Sequence, residues 1–146
     1  MAMGGKRAHP CLLDMLPATQ GQPFYQKLEE LLTQHGFDQF VEPLCRKFYA
    51  RRMGRPSIAP GVYFRALLMG YLEGLSSERA IAWRVQDSLS LRAWLGFGPT
   101  QKVPAHSTLS RTRKRLSVKV HREVFRFVLA RLGEQGLLCG QTLGVD

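Results

Sequence analysis

From Phe24 onward, apolar residues recur at three- and four-residue intervals, and the pattern breaks at glycines and prolines. Phe24, Leu28, Leu31 and Leu32 predict a first helix that opens near Pro23 and stops at Gly36. Phe40, Val41, Leu44, Cys45 and Phe48 give a second helix its apolar face. Asp38 is its expected N-cap, and Pro43 lies late enough to kink the helix or delay its start. Residues 50–58 form a basic connector punctuated by Gly54 and Pro56. A third helix follows from Pro60, with Val62, Phe64, Leu67, Leu68, Tyr71 and Leu72 making it apolar nearly all round. Such a helix belongs at the centre of a core.

Gly74 stops the third helix, and Ser76 is the expected cap of a fourth, whose apolar positions are Ile81, Trp83, Val85 and Leu89. Helix, short glycine turn and helix is the pattern of a helix-turn-helix, although any all-α domain has such corners. A short helix over about 89–95 ends at Gly96. Ser107 is expected to cap a helix holding Leu109 and Leu116. Ser117 then caps the last helix, with Val120, Val124, Phe125, Val128, Leu129 and Leu132 on its face and Gly136 as its stop. Leu137 to Asp146 changes character: Thr142, Leu143 and Val145 among glycines read as the start of a strand, which cannot stand alone. The chain therefore reads as an all-α, multi-helix domain with helix-turn-helix-like elements and a C-terminal strand-like stub. Its divisions are a loose arm over 1–21, a helical domain over 22–136 and the stub over 137–146.

Charge narrows the partners. Lys plus Arg is 21 and Asp plus Glu is 11 in 146 residues, a formal net charge of +10. That excess favours a polyanion, nucleic acid before an anionic membrane. The cations are also clustered. Between Asp87 and Glu123 there are basic residues and no acid, and the same is true between Glu42 and Glu73. The first window contains His106 to Arg115, where Ser107, Thr108, Ser110 and Thr112 can donate hydrogen bonds and Arg111, Arg113, Lys114 and Arg115 can grip phosphate or read guanine. With Leu109 and Leu116 as its apolar residues, this helix must turn the rest to solvent or to a polyanion. A simply solvated basic face is the bland alternative. Arg79 and Arg84 on the fourth helix are the next candidates.

Other chemistries find little support. The longest apolar run, Ala66 to Leu72, is far short of the ~20 residues that span a bilayer. Cys11, Cys45 and Cys139 are few, odd in number and widely spaced, and the four histidines show no metal-ligand spacing, so neither a disulfide framework nor a zinc site is expected. The aromatic residues read as core, while Glu73 and Glu78 read as caps or local ion-pair partners. A cytoplasmic, nucleoid-associated protein is the expected setting.

Three blocks carry a resemblance: Met69 to Gly96 (MGYLEGLSSERAIAWRVQDSLSLRAWLG), Pro104 to Arg113 (PAHSTLSRTR), and Gly136 to Asp146 (GLLCGQTLGVD). In this order they resemble the N-terminal helical DNA-binding domain of bacterial insertion-sequence transposases of the Asp-Asp-Glu type. The resemblance implies binding to double-stranded DNA at the element's terminal inverted repeats, with a homo-oligomer or the full-length transposase as protein partner. It also implies that Asp146 is similar to the first acid of the family triad, which works with Mg²⁺ in the full-length enzyme. The chain stops before the second Asp and the Glu, so no cofactor, no metal site and no strand transfer are expected of it alone. Ala105 departs from the family, which often carries Asp there. The rival expectations are a self-association module and a decayed remnant with non-specific DNA binding.

Overall fold

The computed structural model describes residues 23–49 and 58–136. The arm over 1–21, most of the basic connector and the strand-like stub with Asp146 lie outside the described residues. Within them the chain is all-α: α1 (Pro23–Gln34), α2 (Phe37–Cys45) running into a 3₁₀ turn (Arg46–Phe48), α3 (Pro60–Leu72), α4 (Glu78–Gln86), α5 (Leu89–Trp94), α6 (His106–Arg115) and α7 (Val118–Glu134). No strand occurs among the described residues.

The glycine stops act as the pattern predicts. Gly36, Gly74, Gly96 and Gly136 all have positive φ, the left-handed geometry that ends helices and suits a residue without Cβ. The caps are displaced by a residue or two from expectation. Ser77, not Ser76, caps α4, its Oγ accepting from the Ala80 amide at 3.1 Å. Gly36 precedes α2, so Asp38 sits inside the first turn and is free to reach another helix. Ser117 caps α7 as expected, accepting from the Val120 amide at 3.2 Å.

α3 is the central element. Tyr63, Phe64, Leu68 and Met69 are fully buried, and α1, α2, α4 and α7 supply the surrounding core through residues such as Leu28, Phe37, Ile81 and Val124. Gly70 allows α4 to approach α3 closely, because a Cβ there would lie 2.6 Å from Ile81 Cδ1. Tyr63 also fixes α7. His121 Nδ1 is 2.8 Å from the Ser117 carbonyl, which can only accept, so this nitrogen carries the proton and Nε2 accepts from the Tyr63 hydroxyl at 2.8 Å. Burial pushes the Tyr63 phenol well above its ordinary range.

Two residues depart from their expected places. Trp83 is 58% exposed rather than part of the core. Ile81 and Val85 are four apart and share a face, but Trp83 lies two residues from each, and two residues turn an α-helix by ~200°, so it points away from them. The buried arc of α4 is instead Ile81, Ala82 and Val85. Arg65, counted within a basic window, is buried on α3 with its guanidinium donating to both Glu29 and Asp38. Gly61 makes room for this contact: a Cβ there would overlap Asp38 Oδ1. Burial by itself would lower the Arg65 pKa, but the hydrogen bonds to Asp38 and Glu29 together with the charges of the two carboxylates more than offset it, and the net shift is upward.

Candidate nucleic-acid interface

α6 begins one residue earlier than its expected cap. Ala105 stands at the N-cap with extended backbone and no side-chain hydrogen bond, so Ser107 lies within the first turn and is exposed. Leu109 and Thr112 turn inward. The Thr112 hydroxyl donates to the Thr108 carbonyl at 2.9 Å, which removes it from the candidate contacts. Ser107, Arg111 and Lys114 follow one another at i, i+4 and i+7 and are all exposed, so they form one outward stripe. Arg111 and Lys114 have no ion-pair partner among the described residues.

The other candidate cations are not equivalent. Arg113 donates through Nε to Glu78 at the start of α4. This joins the two helices and offsets the Arg113 charge. Arg115 places its guanidinium 5.5 Å from the centre of the Tyr49 ring. The Tyr49 hydroxyl donates to the Ile58 carbonyl at 2.9 Å, and burial pushes its pKa up to about 12. Arg84 donates to Glu73 at 2.7 Å, and the Tyr25 hydroxyl donates to the same carboxylate at 2.9 Å. Arg79 is exposed, with no ion-pair partner among the described residues. Glu73 and Glu78 are therefore ion-pair partners, but of residues 11 and 35 positions further along the chain rather than of local ones.

Arg92 does a different job. Its guanidinium donates to the Gln86, Pro99 and Gln101 carbonyls, the shortest contact being 2.8 Å to Gln101. These bonds tie down the loop between α5 and α6. The fixed loop closes one side of a groove of about 610 Å³ between the start of α3 and the start of α6. Ile58, Val62, Phe97 and Val103 supply apolar surface to it, and Lys102, Arg111, Ser107 and Thr108 supply polar groups. No acidic residue lines it among the described residues.

The structure thus brings Ser107, Thr108 and Arg111 to one concavity, with Lys114 further along the same outward face. Arg79 and Arg84 lie on the neighbouring α4. Lys102 belongs to the acid-free window between Asp87 and Glu123. Its position beside Ile58 and Val62, 40 or more residues earlier in the chain, has no local signal. Among the described residues no group of three or more His, Cys, Asp or Glu is placed to hold a metal ion. No helix among them is long and apolar enough to cross a membrane.

Residues 11–115 match a family described as a transposase domain (DUF772). That span covers α1 to α6, including the acid-free stripe and the groove. Neither the curated proteins nor the solved structures give a match to the chain.

Proposed function

The chain belongs to the transposase-domain family DUF772, and from that premise we propose that it binds DNA and recognises the terminal inverted repeats of its element. The observation that carries this reading is the outward face of α6. Ser107, Arg111 and Lys114 stand on it in one stripe, while the inward residues Leu109 and Thr112 hold the helix to the core. Ten residues make a rod of ~15 Å in length, and its diameter of ~10–12 Å fits a major groove ~12 Å wide. Cations along that stripe would release counterions from phosphates, and the hydroxyl groups at its N-terminal end would meet base edges. α4, joined to α6 through Glu78 and Arg113, presents Arg79 as a further phosphate contact. In this reading α3 and α4, separated by the Gly74 turn, support α6.

Fluorescence anisotropy of the chain with its element's terminal repeat and with a shuffled duplex, at two salt concentrations, tests the proposal. A preference for the repeat that survives at the higher salt supports it. Equal binding to both duplexes that vanishes with salt refutes specific recognition.

One observation favours a second reading, a self-association module: Trp83 is 58% exposed on α4 and Val118 is 70% exposed at the start of α7. Association that persists without DNA and responds weakly to salt, measured by analytical ultracentrifugation, would support this alternative.

A further inference from the structure

The groove between α3 and α6 offers chemistry that a straight duplex leaves unused. Its apolar surface comes from Ile58, Val62, Phe97 and Val103, and Lys102 and Arg111 bring two positive charges with no acid among the lining residues. Neither cation has an ion-pair partner among the described residues. A paired, stacked duplex presents phosphates and sugars to such a surface. Those would satisfy the cations but leave the apolar wall without a partner. A base turned out of the stack differs: its faces are flat and weakly polar, its edge carries donors and acceptors, and a phosphate flanks it on either side. The groove volume of about 610 Å³ lies within the ~300–1,000 Å³ common for small-ligand sites, enough for one nucleotide.

We propose that this groove receives one unstacked nucleotide of the bound DNA. The base lies against Phe97 and Val103, its edge meets the Ser107 and Thr108 hydroxyls, and the flanking phosphates meet Lys102 and Arg111. This rests on the DNA-binding reading above and adds to it a preference for a particular DNA structure. Extruding a base from a paired duplex costs unstacking energy, and an already unpaired base escapes most of that cost. The chain should therefore favour DNA that carries an extrahelical or frayed nucleotide.

The experiment uses the full chain with two fluorescein-labelled duplexes of one sequence, one fully paired and one carrying a single extrahelical 2-aminopurine. The bulged duplex is expected to bind about tenfold tighter, and 2-aminopurine emission should change on binding. Ala59→Trp places a large side chain at the exposed rim of the groove. It should abolish the preference and leave affinity for the paired duplex within about twofold. Lys102→Ala should weaken binding to both duplexes and lower the salt slope by about 0.9. Circular dichroism of both variants verifies that the helices are retained. Equal affinity for the two duplexes, or a preference that survives in Ala59→Trp, overturns the groove assignment and leaves the DNA-binding reading standing. Failure to bind either duplex at low salt removes that reading, and the groove assignment with it.

Discussion

Replacing Arg65 by Met is the sharpest test of how the helical core holds together. Arg65 is 8% exposed, and its guanidinium makes five hydrogen bonds: two to Glu29, two to Asp38 and one to the Gly61 carbonyl, at 2.9–3.2 Å. It also lies 5.2 Å from the centre of the Phe37 ring. One side chain thus ties α1, α2 and α3 together. Breaking a fully buried ion pair costs about 3–5 kcal/mol, because the partner charge is stranded. Here the carboxylate side chains are 38% and 49% exposed and can recover water. The expected loss is accordingly lower, about 2–3 kcal/mol, since Met still fills the space beside Phe37. For a chain of this size that corresponds to a fall in Tm of about 4–12 °C. Urea unfolding followed by circular dichroism measures it, with an unchanged m-value as the check that the denatured state is the same. The triple variant Arg65→Met/Glu29→Gln/Asp38→Asn should recover about 1 kcal/mol of the loss, because it removes the stranded charges. A single variant within about 0.5 kcal/mol of the parent chain would refute the reasoning, given that surface substitutions commonly fall in that range.

Ion pairing on the proposed DNA face gives a second prediction. Arg111→Ala should reduce the slope of log affinity against log salt by about 0.9, whereas Arg113→Ala should reduce it by less, because Glu78 already offsets that charge. Glu78→Gln should raise affinity, and equal slopes for the two arginine variants would rule out the distinction. At the α3–α4 contact, Gly70→Ala brings a methyl within 2.6 Å of Ile81 Cδ1. The crowding should cost about 1–3 kcal/mol against a gain of about 1 kcal/mol in helix propensity. Adding Ile81→Val, which removes the crowded methyl, should make the double variant lose less than the sum of the singles in denaturant titrations. Cys45 is fully buried, and burial, with a smaller contribution from Glu42, pushes its thiol up to about 11. Iodoacetamide at pH 8 should leave it unmodified in the folded chain, as read by peptide mass spectrometry. A raised folded pKa means that the thiol's contribution is fully present below the unfolded value near 8.5 and is lost as pH rises through about 11. Cys45→Ala should therefore show a flatter stability profile than the parent chain across that window.

The helices were legible because their signals are local. An apolar period, a serine before the first turn and a glycine after the last all act within a few residues, so α1, α3, α5 and α7 lie where the pattern puts them. The all-round apolar character of Val62 to Leu72 likewise announced a central helix, since nothing else could cover it. The caps of α2 and α4 stand one or two residues from where the pattern puts them, because neighbouring Ser, Asp and Gly residues offer competing caps of similar quality; the cap of α6 is Ala105, which has no capping side chain and so gives no local signal.

Which cations remain available to a ligand was a matter of tertiary structure. Sequence ranks Arg111 and Arg113 first and Arg84 next by their place on the helices, but it does not tell which of them, or of Arg65 and Arg92, is already paired. Folding assigns Arg65 to Glu29 and Asp38, Arg84 to Glu73, Arg92 to three carbonyls and Arg113 to Glu78 across 35 residues, and leaves Arg111 facing outward. Charge is a property of a residue, but an ion pair depends on a partner that can lie anywhere in the chain. The same reason hides the groove. Ile58 and Val62 meet Phe97, Val103 and Arg111 only after the helices have packed, so its concavity exists in no stretch of the sequence.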